Sequence, residues 1–118
     1  MARLPYLNEA DLAPEDRDLL ARPINLHRLL THSPKAARAF NGLGMFIRYD
    51  SVLDPRLREL AILAVGYLTR SPYEYSHHVK IGQDFGVSKD DITALTRCLD
   101  GADDVELGEV ERLVIAAA

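Results

Sequence analysis

With 118 residues, 47% of them hydrophobic and 27% charged, the chain has the composition of one folded domain (1–118), long enough for a modest core and too short to divide in two. A formal net charge of −4 without a Lys/Arg cluster argues against a nucleic-acid partner, because binding to a phosphate backbone draws its affinity from displaced counterions. The single cysteine, Cys98, excludes an intrachain disulfide framework and fits a reducing, cytoplasmic setting.

Residues 1–12 contain Pro5, Asn8, Glu9 and Asp11 where a signal peptide would need an apolar run. The longest apolar stretch, 60–68, falls far short of the ~20 residues of a membrane-spanning helix, so no membrane partner is expected. Helix starts are legible from their punctuation. Ser33-Pro34, Asp54-Pro55 and Ser71-Pro72 each set an oxygen acceptor at the N-cap before a proline at the first helical position. Ser88, with Asp91 following, marks a further start, and Gly86 closes the helix before it.

The predicted elements are a short helix at 15–21, a turn or short helix at 26–31, and a longer helix from 34 to about 49, followed by helices at 55–69, 72–85, Lys89–Leu99 and 106–118. No segment alternates with period 2 between hairpin turns, so no strand is predicted and the fold class is all-α, a helical bundle of about 6–7 helices. The last helix ends on Ala116, Ala117 and Ala118 with no cap, glycine or polar tail. The expectation is that the chain continues in a longer protein or that another subunit covers this apolar end.

The helix at 55–69 is apolar nearly all round after its first turn and is expected to be central. Glu59 is the exception, because its neighbours at i+3, i+4 and i+7 are Ile62, Leu63 and Gly66. A solvated acid favoured by the helix dipole is the alternative reading. In the helix at 72–85, Tyr73, His77, Lys80 and Asp84 share a polar face, whereas Glu74, His78, Ile81 and Phe85 share one that turns apolar. His78 is therefore expected to point inward, either as a hydrogen-bonded core histidine or as a functional one.

Only Arg70 and Ser71 connect these helices, so an antiparallel pair would bring Glu59 and His78 within reach of each other. Such a pair on apolar walls has its proton affinities displaced by desolvation and mutual attraction, as proton-transfer groups require. Ser71-Pro72-Tyr73-Glu74 fits a capping box, a structural role for Glu74 that is compatible with a place in the site. Metal binding is disfavoured: Glu74 and His78 lie one turn apart, but His27, His32 and His77 supply no further spaced ligand pair. Capping also explains Ser71 better than a role as nucleophile does.

The stretch Leu57-Arg58-Glu59-Leu60-Ala61-Ile62-Leu63, followed by Tyr73-Glu74-Tyr75-Ser76-His77-His78 and by Gly86-Val87-Ser88 with Asp91-Ile92, resembles the carboxymuconolactone decarboxylase family, part of the alkylhydroperoxidase D-like superfamily. The likeness covers roughly 53–95. In the superfamily's peroxidase branch a glutamate is followed by a Cys-x-x-Cys pair and a histidine that relays protons to the thiols. Here the glutamate falls on Glu59 and the histidine on His78, but the cysteine positions fall on Ser71 and Glu74, which form neither a thiolate nor a disulfide.

Peroxiredoxin-type activity is therefore the disfavoured alternative. The decarboxylase branch implies cofactor-free proton transfer or decarboxylation on a small organic acid or lactone. His78 would be the general acid/base, Glu59 its orienting partner, and Glu74 a part of the pocket. Arg70 or Arg48 would be available to a substrate carboxylate. The resemblance also implies a homo-oligomer. A non-catalytic helical module, with Glu59, Glu74 and His78 in structural ion pairs, is the remaining alternative.

Overall fold

A computed structural model of the protein describes residues 3–118; Met1 and Ala2, the start of the segment read as lacking a signal peptide, lie outside the described residues. Among the described residues every regular element is helical, and the chain falls into two units that part after Ser51.

In the first unit two 3-10 turns, Glu9–Asp11 and Pro14–Leu20, precede helix α1 (Asn25–Leu30) and helix α2 (Pro34–Met45). The helix expected at 15–21 is thus present, but wound as the tighter 3-10 form. The one expected from 34 to about 49 is α-helical only to Met45, after which Phe46–Asp50 widens into a π-type turn. Leu12, Leu19, Leu20 and Ala37 are buried. The Arg38 guanidinium reaches Asp16 at 3.0 Å and Asp18 at 2.8 Å, joining α2 to the second 3-10 turn.

The second unit contains α3 (Pro55–Leu68), α4 (Pro72–Asp84), α5 (Lys89–Leu99) and α6 (Glu109–Ala117), and α3 packs against each of the other three. Its core gathers Leu60, Leu63 and Ala64 from α3, Val87, Leu95 from α5 and Ile115 from α6. The helix predicted to be apolar all round is therefore central, although Val65 and Leu68 on one side are 43% and 53% exposed. The last helix begins at Glu109, three residues beyond the start expected at 106.

Start signals were met unequally. Asp54 accepts from the amides of Arg56 and Leu57, and Ser88 forms a full capping box with Asp91. Ser33 and Ser71 hold the N-cap position before proline but make no side-chain cap. Their ψ angles are 85° and 89°, against 127° at Asp54 and 167° at Ser88, so the hydroxyl is not carried over the first-turn amides. The capping box expected of Ser71 and Glu74 does not form, which leaves the Glu74 carboxylate available elsewhere.

The ends of α3, α4 and α5 follow one pattern. Behind α4, the amide of Val87 bonds back to the carbonyl of Gly82 and that of Gly86 to Gln83, with Gly86 at φ +91°. The same pair of bonds closes α5 around Gly101, at φ +93°. It closes α3 as well, but there the left-handed residue is Arg70, at φ +53°. This turn sends α4 back along α3, and a Cβ on Gly66 would stand 3.3 Å from the backbone of Tyr75, so the glycine sets how closely the two helices approach.

Candidate active site

Glu59 lies in the second turn of α3, and its side chain is fully buried. That removes the reading of a solvated acid. Opposite it, on α4, His78 is only 7% exposed, and its Nδ1 stands 2.7 Å from Glu59 Oε2. The other carboxylate oxygen, Oε1, accepts from Nε of Arg58 at 3.1 Å, and the Arg58 guanidinium lies 4.5 Å from the centre of the Phe85 ring. Gly82 lies at this crossing, where a Cβ would sit 3.6 Å from Cβ of Glu59, an ordinary contact distance.

Burial, the largest influence on Glu59, pushes its carboxyl up, but the hydrogen bond and charge of His78, and then those of Arg58, outweigh it and hold the group below its ordinary value. An ionised carboxylate only accepts hydrogen bonds, so the short contact requires the proton to be on Nδ1. In the neutral ring Nε2 then carries the lone pair.

Nε2 points toward Glu74, one turn earlier on the same helix, with Oε1 at 3.6 Å and the Glu74 side chain 43% exposed. This is beyond a hydrogen bond but close enough to attract an imidazolium. One nitrogen of the ring is thus anchored in the interior, and the other faces the half-exposed side. The three residues singled out from the sequence, Glu59, Glu74 and His78, come together. His77 is partly buried and stacks on Tyr73 with ring centres 6.0 Å apart, on the face assigned to it.

His27 and His32 serve the first unit, each 2.8 Å from a backbone carbonyl, of Arg22 and Pro5 respectively. Among the described residues no group of three or more His, Cys, Asp and Glu side chains is arranged to hold a metal ion. Cys98, a free thiol on α5, is partly buried. No described helix is long and apolar enough to cross a membrane.

Arg70 and Ser71 border a cleft of about 570 Å³ formed by the end of α3, the start of α4 and the end of α5. Tyr75 and Tyr67 also line it, their ring centres 6.0 Å apart, and the Tyr67 hydroxyl donates to the Asp100 carboxylate at 2.9 Å. Arg48 belongs to the π-type turn of the first unit.

Sequence reasoning missed Arg58. The signal was there, since Arg58 has Ala61, Ile62 and Val65 at i+3, i+4 and i+7, the same misplaced charge that drew attention to Glu59.

The model of the Carboxymuconolactone decarboxylase family matches residues 34–118, most of the chain and all of α3 to α6. The chain belongs to the carboxymuconolactone decarboxylase family. No curated protein and no solved structure matches it. Family membership agrees with the helical architecture, and the match takes in Glu59, Glu74 and His78 alike.

Proposed function

We propose that the chain is a cofactor-free enzyme that transfers a proton to or from a small organic acid or lactone, or decarboxylates one, with Nε2 of His78 as the proton-exchanging atom. The observation that carries this reading is the buried 2.7 Å bond from His78 Nδ1 to Glu59, which leaves Nε2 directed at the half-exposed Glu74. A histidine serving only the core would have both nitrogens satisfied inside it.

In the decarboxylation the bond to the departing carboxylate breaks, and its electron pair passes to a carbon conjugated with the lactone carbonyl. Nε2–H of the imidazolium then protonates that carbon. In the reverse sense neutral Nε2 removes a proton from a carbon acidified by the same carbonyl. Glu59 fixes the ring and balances the imidazolium charge, and Glu74 offers a second carboxylate on the open side. Arg70, in the turn between α3 and α4, is assigned in this reading to hold a substrate carboxylate.

A homo-oligomer is part of this reading. Phe40, Leu43, Met45 and Phe46 from α2 and its π-type turn are 47–59% exposed in the single chain, more large apolar surface than one segment ordinarily leaves to water. Light scattering would report the mass in solution.

The test is turnover of a carboxymuconolactone and related unsaturated lactone acids, followed by release of carbon dioxide and loss of the conjugated chromophore. His78→Gln is expected to lower kcat by about 10²–10⁴-fold, the usual contribution of a positioned acid/base, with the fold retained. Equal turnover in the variant, or no turnover of any such acid by the native chain, would overturn the reading.

A further inference from the structure

Arg58 follows no ordinary pattern for its position. Adjacent residues on a helix point about 100° apart and do not face one another, yet Arg58 Nε reaches Oε1 of the next residue, Glu59, at 3.1 Å. It does so from a side chain only 5% exposed, lying over the Phe85 ring that ends α4. Burying a guanidinium costs several kcal/mol unless its charge is matched, and an anion at Glu59 supplies a matching charge beside it.

Each oxygen of that carboxylate has a different task. One accepts from a guanidinium, which can only donate; the other meets the imidazole. The charged groups acting on Glu59 are His78 from α4 and Arg58 from α3. The acids that α5 and α6 bring toward α3, Asp91 and Glu111, are engaged by Arg56 at 2.6 and 2.8 Å, and Glu74 stands on the far side of the His78 ring.

We propose that Arg58 is a positioning residue for the proton carrier: by occupying Oε1 it commits Glu59 to a permanent acceptor role, which keeps a proton on Nδ1 of His78 and confines proton exchange to Nε2. The proposal rests on the reading of His78 given above. It adds that Glu59 is an electrostatic anchor and never the group that carries the proton away. Without the guanidinium, burial would act on the carboxyl with less opposition, and the short Glu59–His78 bond would become one along which a proton can shift toward the acid.

The experiment is NMR of the full-length chain, selectively labelled, and needs no substrate. The ¹³C titration of the Glu59 carboxyl and the ¹⁵N shifts of the His78 ring are compared in the native protein, Arg58→Met and Arg58→Lys. Arg58→Met keeps an apolar stem on Phe85 but removes the charge. The expected result is a Glu59 titration moved upward, with the Nδ1–H signature of His78 weakened, and recovery of most of both in Arg58→Lys. If Arg58→Met loses thermal stability while both signals stay where they are, Arg58 is a packing residue and the proposal fails.

Should Arg58→Met not fold, Arg58→Lys decides alone. Glu59 held below the ordinary carboxylate range supports the proposal, and Glu59 released to or above that range refutes it. Failure of the lactone assay with these signals behaving as expected would remove the proposed reaction but leave the assignment of Arg58 to Glu59 standing. The reverse outcome would remove only Arg58.

Discussion

Replacing Glu59 by glutamine changes almost no volume and tests the site where its geometry is tightest. The carboxylate accepts from Arg58 Nε at 3.1 Å and from His78 Nδ1 at 2.7 Å, both inside the protein. A glutamine amide has one accepting oxygen and one donating nitrogen. Arg58 can only donate, so the oxygen must turn to it and the amide nitrogen must face Nδ1. His78 is then forced to accept at Nδ1 and to carry its proton on Nε2, the reverse of the native arrangement.

Breaking a buried ion pair by removing one partner costs about 3–5 kcal/mol, and the retained hydrogen bonds, each worth about 1 kcal/mol, offset part of that, for a net loss of about 2 kcal/mol. For a chain of this length that corresponds to a Tm roughly 6–10 °C lower. Activity through Nε2 as a base falls by a larger factor, about 10³-fold or more, because the lone pair is on the wrong nitrogen. Thermal unfolding gives the first number, turnover gives the second, and ring ¹⁵N shifts of the neutral histidine report which nitrogen carries the proton. An unchanged Tm, or a neutral His78 in Glu59→Gln that still carries its proton on Nδ1, would refute the reasoning.

Acid is expected to destabilise the second unit. Burial pushes Glu59 up but His78 and Arg58 bring it below its ordinary value, and the hydrogen bond from Arg56 lowers Asp91. Groups with depressed folded-state values bind protons first in the unfolded chain, so their stabilisation is present above the ordinary carboxylate range and is lost as pH falls through it and below. Urea midpoints measured downward from neutrality should drop, and less steeply in Asp91→Asn; a flat profile would contradict the assignment. Arg70→Gly relieves a left-handed arginine, a strain of roughly 1–2 kcal/mol, against the greater backbone freedom of glycine in the unfolded chain, roughly 0.5–1 kcal/mol. Chemical denaturation should show a gain of up to about 1.5 kcal/mol, whereas any lactone acid turned over should show a raised KM. A loss of stability would show that the arginine side chain holds the turn together.

Much was legible before any coordinates. Proline and acceptor punctuation marked where α2 to α5 begin, and the 3.6-residue period separated His78 from His77, because both are properties of a few consecutive residues. The apolar stripe also exposed Glu59 as a charge out of place, and the short link at Arg70 and Ser71 implied that α3 and α4 turn back on each other. These are local facts, set by backbone sterics and by side-chain direction on a single helix.

Tertiary structure alone decided the rest. Whether Ser71 caps α4 depended on a ψ angle imposed by the turn from α3, and with that cap missing Glu74 came to stand beside Nε2 of His78. That Arg70 adopts a conformation usually left to glycine followed from the same return of the chain. The meeting of Arg58, Glu59, His78 and Phe85 required two helices at a particular separation and rotation. Contacts between side chains 19 residues apart, as in Glu59 and His78, are fixed by packing across helices, which no pattern along one helix encodes.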